Sequence, residues 1–244
     1  MLVHMILDIL TRPAIRKPIF KALENASQGE ENGTSGEDRL VLSGLSWERY
    51  LEVDEALGHD RPDPRMYYLN GELEIMTTSV LHQKLKKWLG DLIGDYLFET
   101  GLEAFPRGQA TMRILKEAGA EPDESWCLSE DKEFPDIVLE IALTSGGIAK
   151  LDVYRPFAVR EVWLWRKGAM EIWSLRRNGP SYDGPAKKSR LLPGLDFRWL
   201  TRCLGLPSWR EARRVFRDSL GKTRRSRWIG LERELLRSAP NFVH

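Results

Sequence analysis

Three residues pose the first chemical question: Asp123 after Pro122, Glu140 with sixteen residues between, and Lys150 with nine more between. Glu140 sits among Ile137, Val138, Leu139, Ile141 and Leu143, a run apolar on both faces, as in a central strand. A carboxylate in so apolar a strand is costly to bury unless it meets a cation, a proton or a strong hydrogen-bond partner. Asp123 would start a neighbouring strand. Two carboxylates on neighbouring strands make an oxygen site for Mg²⁺, which keeps several waters and takes few protein ligands. Such a metal lowers the pKa of bound water and neutralises charge on a phosphate. A nearby lysine orients the water or holds the phosphate as a point charge. Together these are the minimum for hydrolysing a phosphodiester. The same spacing also suits a plainer arrangement, with Asp123 at a turn and Glu140 on an open face, paired with a basic side chain.

Pro135-Asp136 is an internal rival, since it also precedes the apolar strand. Asp136 and Glu140 share a face but lie roughly 13 Å apart at strand rise, too far for one ion. Asp136 is therefore read as structural. No phosphate-binding glycine loop, Ser-His-Asp order or cysteine-nucleophile motif occurs. His4, His59 and His244 read as surface residues. Trp163, Trp165 and Trp173 alternate with other residues in one late hairpin. Exposed, they would stack on bases; otherwise they build a sheet face or a dimer surface.

The elements that must position these groups are legible in part. Ser46 caps a short helix, WERYLEVDEAL, with Gly58 as its stop. Asn70-Gly71 between MYYL and ELEIM predicts a hairpin. Glu72 and Glu74 share one face of its second arm. Thr78 or Ser79 opens a helix with a stripe of Leu81, Leu85, Trp88, Leu89, Leu92, Ile93, Tyr96 and Leu97, stopped by Gly101. His82 lies in its first turn. Short β-like runs follow: AFPRG, ATMRIL, PDESWCL and PDIVLEIAL. Thr144–Gly147 reads as a turn, IAKLDVYRPF as a short helix broken near Pro156, and REVWLWRKGAMEIWSLRR as a hairpin around Lys167-Gly168. Tyr154, one helical turn beyond Lys150, is placed to pack on it or orient it, but reads first as a core residue. No internal repeat is present. The order predicts an α/β (α+β) sheet domain.

The chain has 244 residues with 42% hydrophobic and 30% charged, which suits a globular protein and excludes wholesale disorder. No apolar run approaches the length of a transmembrane helix. Cys127 and Cys203 are the only cysteines. They are too few for a disulfide framework or a cysteine zinc site and fit a reducing, cytoplasmic location. Residues 1–41 read as an N-terminal extension: an apolar stretch before basic residues, the reverse of a secretory signal, then a polar linker expected to be disordered. The extension is an appendage or marks a doubtful start of translation. The folded body is expected over 42–206. Segment 207–244 reads as a basic helical tail: ten Lys/Arg against four acids, net +6 in a chain of net +1, so the rest carries −5. A basic tail on an acidic body suits a polyanion, and Arg213, Arg214, Arg217, Lys222, Arg224, Arg225 and Arg227 are its candidate nucleic-acid contacts. A solvated amphipathic helix pair is the bland alternative.

Three stretches carry a resemblance: YYLNGELEIMTTSVLHQ, EPDESWCL and FPDIVLEIALTSGGIAKLDVYRPFAVREVWLW. They lie in order within about 42–193. The sequence resembles the Uma-two family, a branch of the PD-(D/E)XK restriction-endonuclease-like superfamily. The resemblance implies a central mixed sheet flanked by helices, here with an extra N-terminal hairpin, and a divalent-metal site on it. Asp123 is then the aspartate of the PD motif and Glu140 the acid of the (D/E)xK element, together holding Mg²⁺, with Mn²⁺ as substitute. The chain departs from the usual pattern at Ala142, where the superfamily has lysine. Members of this branch place a basic residue on the following helix, here Lys150. It also has His82-Gln83 where relatives often have His-Glu. Glu74 then becomes the candidate third carboxylate, with Glu72 behind it. His82 is the motif histidine, a general base or an outer-shell partner. The implied function is a Mg²⁺-dependent endonuclease acting on nucleic acid, DNA in the first instance, with a two-fold assembly compatible. The alternative is a degenerate nuclease-fold module that binds nucleic acid or a protein, which Ala142 and Gln83 favour.

Overall fold

In a computed structural model the described residues are 37–58, 61, 63–143 and 147–221. The appendage and most of the linker, Lys222, Arg224, Arg225 and Arg227 of the tail, and His4, His59 and His244 lie outside them.

The chain runs β1 (Arg39–Ser43), α1 (Trp47–Leu57), β2 (Arg65–Leu69), β3 (Glu72–Met76), α2 (Val80–Thr100), β4 (Ala104–Pro106), β5 (Met112–Ile114), β6 (Ala118–Ala120), β7 (Glu124–Leu128) and β8 (Ile137–Ile141). It continues through α3 (Lys150–Tyr154), β9 (Glu161–Arg166), β10 (Ala169–Leu175), β11 (Tyr182–Ala186) and α4 (Phe197–Leu204). A last helix, α5, spans 209–221. The first strand starts at Arg39, ahead of the expected boundary at 42.

Local chemistry explains most of these elements. Ser46 caps α1 by accepting the Arg49 N–H, and Ser79 caps α2 by accepting the His82 N–H. Gly101 ends α2 in the left-handed region with φ 71°. Asn70 and Gly71 both take positive φ and turn β2 into β3.

The strands form two sheets. One is mixed, in the order β11-β10-β9-β8-β7-β4, with β8 and β9 parallel and the other pairs antiparallel. The parallel pair needs a crossover, and α3 lies within it. The expected extra hairpin is the middle of a second sheet, β1-β3-β2-β6-β5. Its small strands gave no periodic signal. In β6, Gly119 is obligatory because the Tyr50 hydroxyl of α1 occupies the space a Cβ would need.

One core packs α2 and α4 on the mixed sheet, around Leu89, Leu92, Ile93, Trp126, Leu139, Trp163 and Leu200. Leu81, placed in the apolar stripe of α2 by its spacing, is 55% exposed, while the next residue, His82, is the buried one of the first turn. Trp163 and Trp165 are buried here; as side chains of the sheet face they offer no stacking platform and no dimer surface. A second core joins the two sheets through Tyr67, Val138, Val153, Tyr154 and Val162.

Helix α5 contributes Ala212 and Phe216 to the first core. It is clamped to α2 by Arg213, which pairs twice with Asp95 at 2.6–2.7 Å, and by Arg217 on Glu99. These guanidinium groups are therefore not free cations on a solvated tail. Arg214 and Arg217 are exposed; Arg214 faces Asp218 of its own helix at 3.5 Å. Replacing the fully buried Phe216 by alanine is expected to cost about 3–5 kcal/mol. Urea unfolding that shows no loss would mean α5 is not part of the fold.

Candidate metal and phosphodiester site

Asp123 lies immediately before β7. Glu124 pairs with Leu139 across the antiparallel β7–β8 ladder, so the next step sets Asp123 opposite Glu140. The main chain fixes this: the Ile141 N–H donates to Asp123 Oδ2 at 2.6 Å. Both carboxylates point between the two sheets, Asp123 at 0% and Glu140 at 3% exposure. The alternative of Glu140 on an open face is thereby overturned.

Four further elements close on the pair. From α2, His82 Nε2 lies 2.7 Å from Asp123 Oδ1, and its Nδ1 lies 2.8 Å from Glu37. The Ser79 cap fixes the start of the helix and thus aims this ring. From β2, Arg65 reaches Asp123 Oδ1 at 2.8 Å, and Tyr67 donates its hydroxyl to Glu140 at 3.0 Å. From α3, Tyr154 donates to the other Glu140 oxygen. Lys150, on the same helix, lies over the Tyr67 ring and donates to Glu74 of β3 at 3.3 Å.

Glu74 also accepts the Ile148 N–H at 2.6 Å and faces Arg39 at 3.4 Å. Gly147, with φ +80°, is needed here, because a Cβ would strike the Glu74 carboxylate. Glu72, on the same face as Glu74 but at the turn end of β3, is exposed. Asp136 is buried but engaged elsewhere, accepting from the Leu128 N–H and from Lys132 and Arg160.

The cluster thus interleaves the carboxylates of Glu37, Glu74, Asp123 and Glu140 with Arg39, Arg65, His82 and Lys150. Burial alone would raise the Asp123 carboxyl, but Arg65 and His82 hold it well below the ordinary range. Burial likewise works against a charged His82, yet its bonds to Asp123 and Glu37 hold it up at about 9. Glu140 goes the other way. Burial raises it, and the Asp123 charge adds to that, against the opposing charge of Lys150. Burial lowers Lys150, opposed by Glu140 and Glu74. Two adjacent carboxylates are therefore pushed apart, one held ionised by its cations and one pushed by burial toward its protonated form.

Asp123 and Glu140 offer hard oxygens, each carboxylate with a lone pair beyond those used by protein donors. A cation beside Glu140 would favour the ionised form that burial disfavours. Among the described residues no three His, Cys, Asp or Glu side chains form a metal cage, but Mg²⁺ is commonly held by one or two carboxylates plus substrate phosphate and water. The donor set therefore fits this ion.

The sequence profile of Uma2, described as "Putative restriction endonuclease", matches residues 47–202. The chain belongs to the Uma2 family. This membership supports a nuclease-type hydrolase acting on nucleic acid. Four solved chains match in structure. One is described as a "putative nuclease belonging to DUF820" from Anabaena variabilis, at 10% identity and a TM-score of 0.42, covering 70% of this chain and 99% of that one. No curated protein matches. No described helix is long and apolar enough to cross a membrane.

The Uma2 match takes in every residue of the cluster except Glu37 and Arg39, which precede it. The sequence pointed to Asp123, Glu140, Lys150, His82 and Glu74, and all five meet here. It missed Arg65, Tyr67 and Glu37. The only available signal was an arginine at the start of a strand otherwise made of Met, Tyr and Leu.

Proposed function

We propose that this Uma2 protein is a Mg²⁺-dependent endonuclease that hydrolyses DNA phosphodiester bonds, with Mn²⁺ able to replace Mg²⁺. The observation that carries this reading is the buried pair Asp123 and Glu140, facing each other across β7 and β8. These two residues would hold the metal. Bound there, it would neutralise phosphate charge and lower the pKa of its water.

The chain's own groups do the rest. The Ile141 N–H and Arg65 fix the Asp123 carboxylate in one orientation and keep it ionised. Tyr67 and Tyr154 fix Glu140 in the same way, so neither ligand must reorganise. His82 is a positioning residue, since both of its ring nitrogens are engaged by carboxylates. Lys150 lies at the edge of the cluster: its side chain is 11% exposed and that of Arg39 18%, against 2% or less for Arg65, His82, Asp123 and Glu74. It takes the place of the lysine absent at 142 and offers a point charge to phosphate. Glu74 holds that ammonium in place.

A second reading, a nuclease-fold module that binds without cutting, is favoured by one feature. Every oxygen of Asp123 and Glu140 already has a protein donor. A cleavage assay separates the two readings. Purified full-length protein is incubated with supercoiled plasmid, single-stranded DNA and RNA, in Mg²⁺, Mn²⁺ or EDTA. Metal-dependent plasmid nicking is expected. Salt-sensitive binding without cleavage in either metal would select the binding module.

A further inference from the structure

Beside the carboxylate cluster lies a cavity of about 470 Å³, within the usual range for small-ligand sites, about 300–1,000 Å³. It sits on the α3 face of the mixed sheet, under the β9–β10 hairpin. Its walls include Lys150, Arg155, Arg166, Trp173, Ser181 and Tyr182. Lys150 is shared between this cavity and the buried cluster, so the two adjoin.

The lining is cationic and aromatic. Lys150, Arg155 and Arg166 stand against a single lining acid, Asp152. Arg155 and Arg166 are held only loosely: Arg155 meets Asp152 at 3.2 Å with both side chains about half exposed, and Arg166 meets Glu171 at 3.9 Å. Tyr182 gives its hydroxyl to the Val159 carbonyl, which spends its polar end on the protein and leaves the ring as cavity wall. Trp173 lies on the opposite face of the hairpin from Trp163 and Trp165, because it pairs with Val162. Its indole Nε1 is buried with no hydrogen-bond partner.

Cations for phosphate and ring faces for a base describe one class of occupant. We infer that this cavity receives a nucleotide of the nucleic-acid strand next to the phosphodiester at Lys150. Arg155 and Arg166 take its phosphate, and Trp173 and Tyr182 take its base. The strand then enters across α3 and the β9–β10 hairpin, not along the basic tail. This rests on the nucleic-acid reading above and extends it by naming where the strand sits.

The test is binding of a fluorescein-labelled 12-nucleotide single-stranded DNA to the full chain, by anisotropy in EDTA, where metal-dependent cutting is absent. The Arg155→Ala/Arg166→Ala double variant removes two exposed cations and is expected to keep the wild-type melting temperature. It is expected to bind at least tenfold more weakly. Its log–log salt slope should be shallower by about 1.4, the value for two lost phosphate contacts on a single strand. Trp173→Leu should weaken binding with less change in slope. The tail variant Lys222→Ala/Arg224→Ala/Arg225→Ala/Arg227→Ala should bind nearly as wild type.

Wild-type affinity and slope in the arginine variant would overturn the inference, as would a loss confined to the tail variant or no binding by the wild type. The two readings fail separately. A protein that cuts DNA but ignores the arginine pair loses the cavity and keeps the nuclease. One that binds through the pair yet cuts nothing keeps the cavity and loses the nuclease.

Discussion

Asp123→Ala is expected to lower the stability of the protein by about 3–5 kcal/mol, the usual cost of removing one partner from a buried ion pair. Three groups lose their acceptor at once. Arg65 is 2% exposed, and its bonds to Gln109 and to the Glu121 carbonyl carry no counter-charge. The Nε of Arg65 has no partner even in the intact site. His82, held protonated largely by Asp123, keeps only Glu37. The Ile141 N–H, inside the site, is left unsatisfied. Asp123→Asn keeps the shape and one acceptor oxygen and is expected to lose less. Urea unfolding with the change in midpoint read at constant m measures both. A loss below about 1 kcal/mol in the alanine variant would place this cluster in the class of weak, solvated ion pairs and contradict its burial.

Glu140→Gln should separate folding from chemistry. The amide still offers an oxygen to one phenol and an N–H to the oxygen of the other, so Tyr67 and Tyr154 both keep partners. The lost charge is one that burial already disfavours. Stability is expected to fall by about 1 kcal/mol or less, the scale of one ordinary hydrogen bond. Cleavage is expected to drop by roughly 100-fold or more, the scale seen on removing one preorganised electrostatic group from an active site. Initial rates of plasmid nicking in Mg²⁺, beside a thermal melt, measure the pair of effects. Unchanged nicking in a folded variant would remove Glu140 from the chemistry.

The contrast between these two residues also shows what a sequence can carry. Asp123 and Glu140 were legible because a carboxylate in an apolar strand demands an explanation. So were the Ser46 and Ser79 caps, the Asn70-Gly71 turn and the Lys167-Gly168 turn, since each depends on neighbours within a few residues. The residues that saturate the site were not legible. Arg65 meets Asp123, and Glu37 meets His82, only because two sheets pack face to face, and nothing local in either sequence announces that. Tyr154 was read first as a core residue, and it is one; what helical spacing could not tell is that its hydroxyl meets Glu140, not Lys150. The short strand at Ala118–Ala120 shows no periodicity, and its glycine answers to Tyr50 of α1. The tail misled for a related reason. Charge counting treats Arg213 and Arg217 as free, whereas α5 packs on α2 and spends both on Asp95 and Glu99.

The central claim is that Asp123 and Glu140 form one divalent-metal site, and Mn²⁺ binding tests it without any substrate. Free Mn²⁺ is titrated against the full-length protein and read by its electron paramagnetic resonance signal, for wild type and for Glu140→Gln. One Mn²⁺ per chain is expected in the wild type, displaced by excess Mg²⁺, and lost in the folded variant. No stoichiometric binding by the wild type, or equal binding by the variant, would contradict it.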